Sequence, residues 1–520
     1  MRFFAFFLVS ALVLAVSADP DTSPEPSRTL NKRGTSLLPC NADHPAPTPS
    51  FIPIADPLLM PVAQVAIFLT ATTAGPLSVL SKAAVDLINS ATTLNIGGVL
   101  KTVTSLVPNL LCSLFGCPKP VVTDPRPVLE NGGAKNCLDS STNATVINSL
   151  FYYGGAGTTV YLCPNANIKL ETTIAFTAAN QTLTTYGSVL GANRAKLTIT
   201  DSGTSCAIYG NSAGMDKLTL SNVIIDGNRP NLGWTPNGLA LIEMGGTTTG
   251  HTITGIKAYE PRGWSALHIL EGNQNDCSGA VVTHNELGPS GNSPTGAAQF
   301  RMARVRRDTE YSPGQWADGI SLACRDSTVT GNTITDATDG AIVIFGAPGS
   351  TIKGNTIVSE RRVLLGGVNA VDYYPYLGSF QGVSVTGNTF NAKSTLMKVG
   401  IAAGPSTWGT SVAALTTLGG SFSGNTFTSG SKGYFGYGIS VDGHRLGTFN
   451  KNNFVGSNFG GVFSGACQAN MPDMQPTIYN PVLSTGNVLQ DKFTASAYSL
   501  AICVGPGNIT TSGVTYFGSS

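Results

Sequence analysis

From about Asn136 to the end of the chain, short runs of β-branched and aromatic residues alternate with polar positions and are broken repeatedly by Gly, Asn or Asp. Alternation with a period of two predicts strands with one buried face, and the breaks keep them short. The runs also repeat. LTLSNVIIDGN, AVVTHNEL, STVTGNTITD, STIKGNTIVS, VSVTGNTFNA, GSFSGNTFTS, TFNKNNFVGS and STGNVLQDKF share a strand, a Gly-Asn or equivalent turn and a second strand. Measured at the asparagine, Asn332, Asn355, Asn388, Asn425, Asn452 and Asn487 are 23, 33, 37, 27 and 35 residues apart. A minimum near 23 with variable excess describes one coil carrying insertions at a tolerated corner. Such a unit cannot bury its apolar face alone, so the pattern predicts stacked coils in an all-β parallel solenoid. A β-propeller is the competing architecture, but its blades need about 40 residues. Asn suits the recurring corner because it tolerates left-handed backbone angles and its amide can bond its equivalent on the next coil.

Residues 34–135 have a different texture. The stretch LSVLSKAAVDLINSATTLNIGGVLKTVTSLVPNLLCSLFGC spaces its apolar residues by three and four, which predicts short amphipathic helices, and the prolines of CPKPVVTDPRPVLE mark their exit. A helical cap, a pro-like segment or a small separate domain would all read this way. Ahead of it, MRFFAFFLVSALVLAVSADP has one basic residue, an apolar run and a small-residue ending, the pattern of a secretory signal peptide over residues 1–18. Lys32-Arg33 then closes a pro-like segment, 19–33, so the mature chain is expected to begin near Gly34 and the solenoid to occupy 136–520.

Only 11% of residues are charged and the formal net charge is +1, which removes any global electrostatic case for a nucleic-acid partner. The most apolar internal stretch, Leu58 to Leu80, contains Pro61 and Pro76, so no membrane span is expected after signal removal. Ten cysteines in an exported chain allow five disulfides, with Cys112–Cys117, Cys137–Cys163 and Cys467–Cys503 as the expected pairs. No C-x-x-C spacing occurs and there are only five His, which weighs against a metal centre built from these residues. Asn143, Asn180 and Asn508 head N-glycosylation sequons.

Through the GNTI and GNTF repeats the chain resembles the secreted right-handed parallel β-helix proteins of the pectin-lyase-like superfamily. The resemblance implies a right-handed parallel β-helix and, for an exported member, a polysaccharide lyase, a glycoside hydrolase, a sugar epimerase or a non-enzymatic adhesin. Polygalacturonases of this superfamily carry Asn-Thr-Asp, Asp-Asp, Gly-His-Gly and Arg-x-Lys motifs. No such Asp-Asp or Gly-His-Gly occurs here, and Gly443-His444-Arg445 is a partial echo; pectate-lyase signatures are likewise not evident.

Asp318 lies 14 residues before Asn332, Asp339 lies 16 before Asn355, and Asp372 lies 16 before Asn388. Three consecutive coils thus place an Asp at nearly the same corner. Strands about 4.8 Å apart would set adjacent carboxylates roughly 5 Å apart and alternate ones roughly 10 Å apart, which brackets the separations used by retaining and inverting glycosidases. The same stack offers oxygen ligands to Ca²⁺, the one candidate cofactor. Asp-Gly is also a common turn dipeptide, repeated at Asp226 and Asp442, whereas Asp372 is not followed by Gly.

QFRMARVRRDTEYSPGQW holds Arg301, Arg304, Arg306 and Arg307 ahead of Asp308 and Glu310, and Arg361 and Arg362 follow two coils later. Guanidinium groups there would suit the carboxylates of a uronic-acid polymer, or form a solvated loop paired with its own acids. Trp264, Trp316, Tyr373, Tyr374, Tyr376 and Trp408 offer faces for sugar stacking or for core packing. RGWSALHI and GQWADGIS align as neighbouring coils, which brings His268 and Glu271 towards Asp318 and makes His268 a candidate base. His444 and Arg445 form a second, remoter candidate.

The expectation is a secreted, monomeric, carbohydrate-active enzyme, a glycoside hydrolase or a uronate lyase, working in a groove on the β-helix. Asp318, Asp339, Asp372 and His268 would be catalytic, and Arg301, Arg304, Arg306, Arg307, Trp316, Arg361, Tyr373 and Tyr374 would hold the polysaccharide. The alternative is a non-catalytic, glycan-binding or wall-associated adhesive β-helix.

Overall fold

The computed structural model describes residues 137–187, 191–292, 316–409, 415–463 and 471–514. The expected signal peptide, pro-like segment and N-terminal region lie outside these residues, as do Cys112, Cys117, Cys467 and the four arginines from Arg301 to Arg307.

Three sheets of 11, 9 and 13 strands form the body. The chain visits them in turn. Thr328–Thr330 lies in the first, Thr333–Thr335 in the second and Gly340–Ile344 in the third, after which Thr351–Lys353 returns to pair in parallel with Thr328–Thr330. This is a parallel β-helix, as the repeats predict. In the first two sheets burial alternates along each strand, as in Ala195–Ile199 and Thr252–Thr254. Inward residues stack in columns: Leu183, Leu220, Ile253, Val282, Val329, Ile352, Val385 and Phe422 are successive register partners. Phe390, Phe427 and Phe454 continue the core of the second sheet, with ring centroids 4.7 and 4.5 Å apart. Room for those rings comes from the third sheet, where a β-carbon at Gly400 or Gly438 would lie 2.3 Å from Phe427 or Phe454 respectively.

The corner between the first and second sheets is an asparagine ladder. Asn285, Asn332, Asn355, Asn388 and Asn425 each donate Nδ2 to the Oδ1 of the next member, ending on Asn452. Gln490 Oε1 then accepts from Asn452 N, at 2.9 Å. The expected members from Asn332 to Asn452 are all present. Asn487 is not one of them; it accepts from Gly447 N and donates to the His444 carbonyl, and the longer Gln490 takes the corner instead.

Helix α1 (Ala144–Gly154) closes one end. Asn143 caps it by accepting from Val146 N at 3.0 Å, and Phe151 packs 4.9 Å from Phe176. At the other end Val504–Val514 runs antiparallel to Ser457–Phe463, the one antiparallel strand pair among the described strands. Cys137–Cys163 forms as expected, and Cys277–Cys324 ties neighbouring coils. Cys206 is a buried free thiol, so the expected set of five disulfides is not complete. Cys503 is disulfide-bonded. No described helix is long and apolar enough to cross a membrane, and the three sequon asparagines are exposed.

Candidate functional site

The third sheet departs from the alternating pattern. Its strands β1 (Ile242–Gly245), β2 (Ser265–Leu270), β3 (Asp318–Leu322), β4 (Gly340–Ile344), β5 (Leu364–Ala370), β6 (Leu396–Ala403) and β7 (Tyr434–Val441) are buried at every position. Polar side chains that occupy such strands give up water and must bond to one another or to a ligand.

Several do. Parallel pairing sets Ser265 opposite Asp318, and sets His268 opposite Glu243 on one side and Ser321 on the other. Asp318 Oδ2 lies 2.7 Å from Ser321 Oγ, which lies 2.9 Å from Ser265 Oγ. Asp318 Oδ1 accepts from Gly340 N at 3.0 Å, so Asp339, the residue before Gly340, stands on the neighbouring coil. Both carboxyls are fully buried. Burial and then the Asp339 charge push the Asp318 carboxyl well above the usual range, against the lowering effect of the Ser321 and Gly340 hydrogen bonds. His268 Nδ1 lies 2.9 Å from Glu243 Oε2, and Trp264 meets the imidazole edge-on at 4.6 Å.

Asp372 does not complete a stack. Gly366 pairs with Gly340 and therefore holds the level of Asp318 on β5, whereas Asp372 follows the far end of that strand. An inserted loop between β5 and Ser384–Thr386 separates Asp372 from Asn388. Asp372 nonetheless acts on Asp318 through its charge, the smallest of the raising influences. Tyr373 and Tyr374 cross at 5.1 Å beside it, with Tyr374 47% exposed, and Tyr376 donates to the Ala323 carbonyl. Trp316 is buried next to Asp318 on the sequence, while Asp318 N donates to the Trp264 carbonyl, so the two tryptophans are one residue out of register on adjacent coils.

Other expected contacts take different forms. His268 is oriented by Glu243, which the repeats do not single out. Arg361 is exposed on a turn whose three amides donate to Asp336 Oδ1, and Arg362 is held by Glu260 at 2.5 Å. His444 is a core residue: its ring nitrogens lie 2.7 Å from Thr417 Oγ1 and 2.8 Å from the Gly419 carbonyl, among Phe380, Phe422 and Phe449. Burial pushes its pKa down to about 4. Trp408 is also core. Among the described residues no three His, Cys, Asp or Glu side chains group as metal ligands.

Two buried titratable groups near the C-terminal end were not singled out as such by the sequence. Asp442 accepts from Ser499 N at 3.1 Å, and burial raises its pKa from 3.8 to about 7. Lys398 donates to the Ile502 carbonyl at 3.4 Å, and burial lowers its pKa to about 7. Because the folded pKa of Asp442 lies above the unfolded one, its contribution to stability is complete below about pH 4 and is lost as the pH rises through 7. Between pH 4.5 and 6.5, before Lys398 titrates, denaturant unfolding of the Asp442→Asn variant is expected to escape a loss of roughly 2–3 kcal/mol that the parent suffers. Parallel pH profiles for the two proteins would contradict this.

No family model and no curated protein matches the chain. Solved structures that it is similar to include a DFA-IIIase from Arthrobacter chlorophenolicus in complex with GF2, at 15% identity over 71% of this chain and 95% of that one, with a TM-score of 0.40. An alginate lyase from a Paenibacillus species gives 14% identity over 60% and 93%, TM-score 0.34. A hyperthermoactive exopolygalacturonase from Thermotoga maritima gives 10% identity over 61% and 85%, TM-score 0.34. By its own strand order the described chain is a parallel β-helix, the architecture expected from its GNTI and GNTF repeats.

Proposed function

We propose that this is a secreted carbohydrate-active enzyme that hydrolyses a polysaccharide along the third sheet. The observation that carries the reading is the pair of buried carboxyls on adjacent coils, Asp318 and Asp339, with the Asp318 carboxyl held high by burial and by its neighbour's charge. Burial and the neighbouring charge favour the protonated form of Asp318. Asp318 gives its proton to the glycosidic oxygen as the bond to the anomeric carbon breaks, and a water oxygen forms the new bond to that carbon while the Asp339 carboxylate takes the water's proton. His268, oriented by Glu243, is a further proton acceptor beside the pair. Trp264 and Trp316 at one end of the strands, and Tyr373 and Tyr374 at the other, supply faces for sugar rings. Export is supported by the signal-like leader, the disulfides and the exposed sequons.

Incubating the secreted protein with neutral and uronic polysaccharides, with and without chelator, tests the reading. New reducing ends without ultraviolet absorbance are the expected result. Absorbance from unsaturated uronates would replace hydrolysis by lyase chemistry and bring Arg301 to Arg307 forward. Binding without any cleavage would favour the adhesive β-helix.

A further inference from the structure

The three sequons sit towards the two ends of the coil stack. Asn143 is the N-cap of α1, Asn180 lies between the early strands Ile174–Ala175 and Thr182–Thr185, and Asn508 is on the closing strand Val504–Val514. No further sequon occurs between Asn180 and Asn508, although asparagine is frequent there. In the GNTI and GNTF repeats Thr follows Asn directly, one position too early.

The surroundings of Asn508 give its sequon a meaning that the others lack. Val504–Val514 is the last strand of the third sheet: one edge pairs with Ser457–Phe463, and no other described strand pairs with the second edge. Every residue from Pro506 to Gly513 is exposed, Asn508 included. Pro506 removes one donor near the start of the open edge, but Ile509 to Val514 contain no proline, and Ile509, Thr510 and Thr511 are β-branched. An open edge of this kind offers its amides and carbonyls to another strand. Across a two-fold axis a strand runs against its own copy, so this edge is complementary to the same edge of a second molecule in antiparallel pairing.

We propose that Asn508 carries an N-linked glycan that shields this edge, so that the exported protein stays a monomer, whereas the bare chain pairs Val504–Val514 with Val504–Val514 of a second copy. The modification requires export and an oligosaccharide donor linked to a lipid diphosphate. Asn508 Nδ2 forms a bond to the anomeric carbon of the first sugar as that carbon's bond to the diphosphate breaks, and Nδ2 loses one proton. The proposal is independent of the hydrolase reading.

The test produces the full chain in a glycosylating secretory host, together with Asn508→Gln, Thr510→Val and Asn180→Gln. Thr510→Val removes the sequon but keeps Asn508 and the branched side chain, giving up one hydrogen bond to the Phe459 carbonyl. Asn180→Gln removes a glycan away from the edge. Peptide mass spectrometry should find Asn508 occupied in the parent. Sedimentation at about 100 μM, in the range where open strand edges associate, should give monomers for the parent and Asn180→Gln and dimers for the other two. In those dimers the amides of residues 509–514 should exchange hydrogen at least about 10-fold more slowly than in the parent. An unoccupied Asn508 in the secreted parent, a glycosylated parent that dimerises, monomeric Asn508→Gln and Thr510→Val proteins, or dimers without protection at 509–514 would each overturn the proposal.

Discussion

Replacing Asp318 by Asn is expected to lower turnover by about 100- to 10,000-fold with little change in KM, the range seen when a general acid is removed. The variant should remain folded, since an amide oxygen can still accept from Gly340 N and the Ser321 hydroxyl can still approach the second position. A merely structural aspartate would leave the pH profile of activity unmoved. Asp339→Asn removes the second-largest influence that raises Asp318, so the Asp318 carboxyl, followed by infrared difference spectroscopy, should titrate at lower pH than in the parent. The activity of the parent should fall on its alkaline side as Asp318 loses its proton. Full activity in the Asp318→Asn protein would remove the pair from the mechanism.

The second large effect lies in the ladder. Asn355 donates Nδ2 to the Val329 carbonyl and to Asn388 Oδ1, while its Oδ1 accepts from both Asn332 N and Asn332 Nδ2. Asn355→Ala strips these bonds at once and strands a backbone N–H and a carbonyl in a site with no access to water. A loss of about 3–5 kcal/mol in denaturant unfolding is expected, the sum of unmet buried groups rather than of net hydrogen-bond strengths. Asn355→Asp keeps the acceptor and loses the donors, so it should fall between the two. A loss under about 1 kcal/mol in the Ala variant would mean that the apolar columns alone set the register.

The ladder was legible because its chemistry repeats in the sequence as Gly-Asn. Asn285, in the repeat AVVTHNEL, joins it although Thr-His-Asn replaces Gly-Asn there, and the ladder was misassigned at Asn487, three residues short of Gln490. Asp318 and Asp339 were legible for a related reason: the short coil between Asn332 and Asn355 carries little insertion, so distance along the chain translates into position on the coil. Asp372 was not, because the loop that follows it is an insertion of the kind that leaves strands undisturbed and spoils counting. Glu243 and Ser265 are invisible to either argument. Each is a single polar residue in an apolar run, and only the lateral pairing of coils shows that it adjoins another. Cys277 and Cys324 are of the same sort, 47 residues apart in sequence and one coil apart in space.

A stack of parallel coils is a segment of a potential fibre, since its first and last rungs each carry unpaired amides and carbonyls that an identical molecule could extend. Here α1 lies against the opening strands Thr159–Leu162 and Ile174–Ala175, and the reversed strand Val504–Val514 occupies the edge of Ser457–Phe463. Direction matters as much as coverage: a strand that runs backwards presents a hydrogen-bond pattern that the next molecule's parallel coil cannot continue. Each of the two elements therefore gives the strands it covers an edge that an identical parallel coil cannot simply extend.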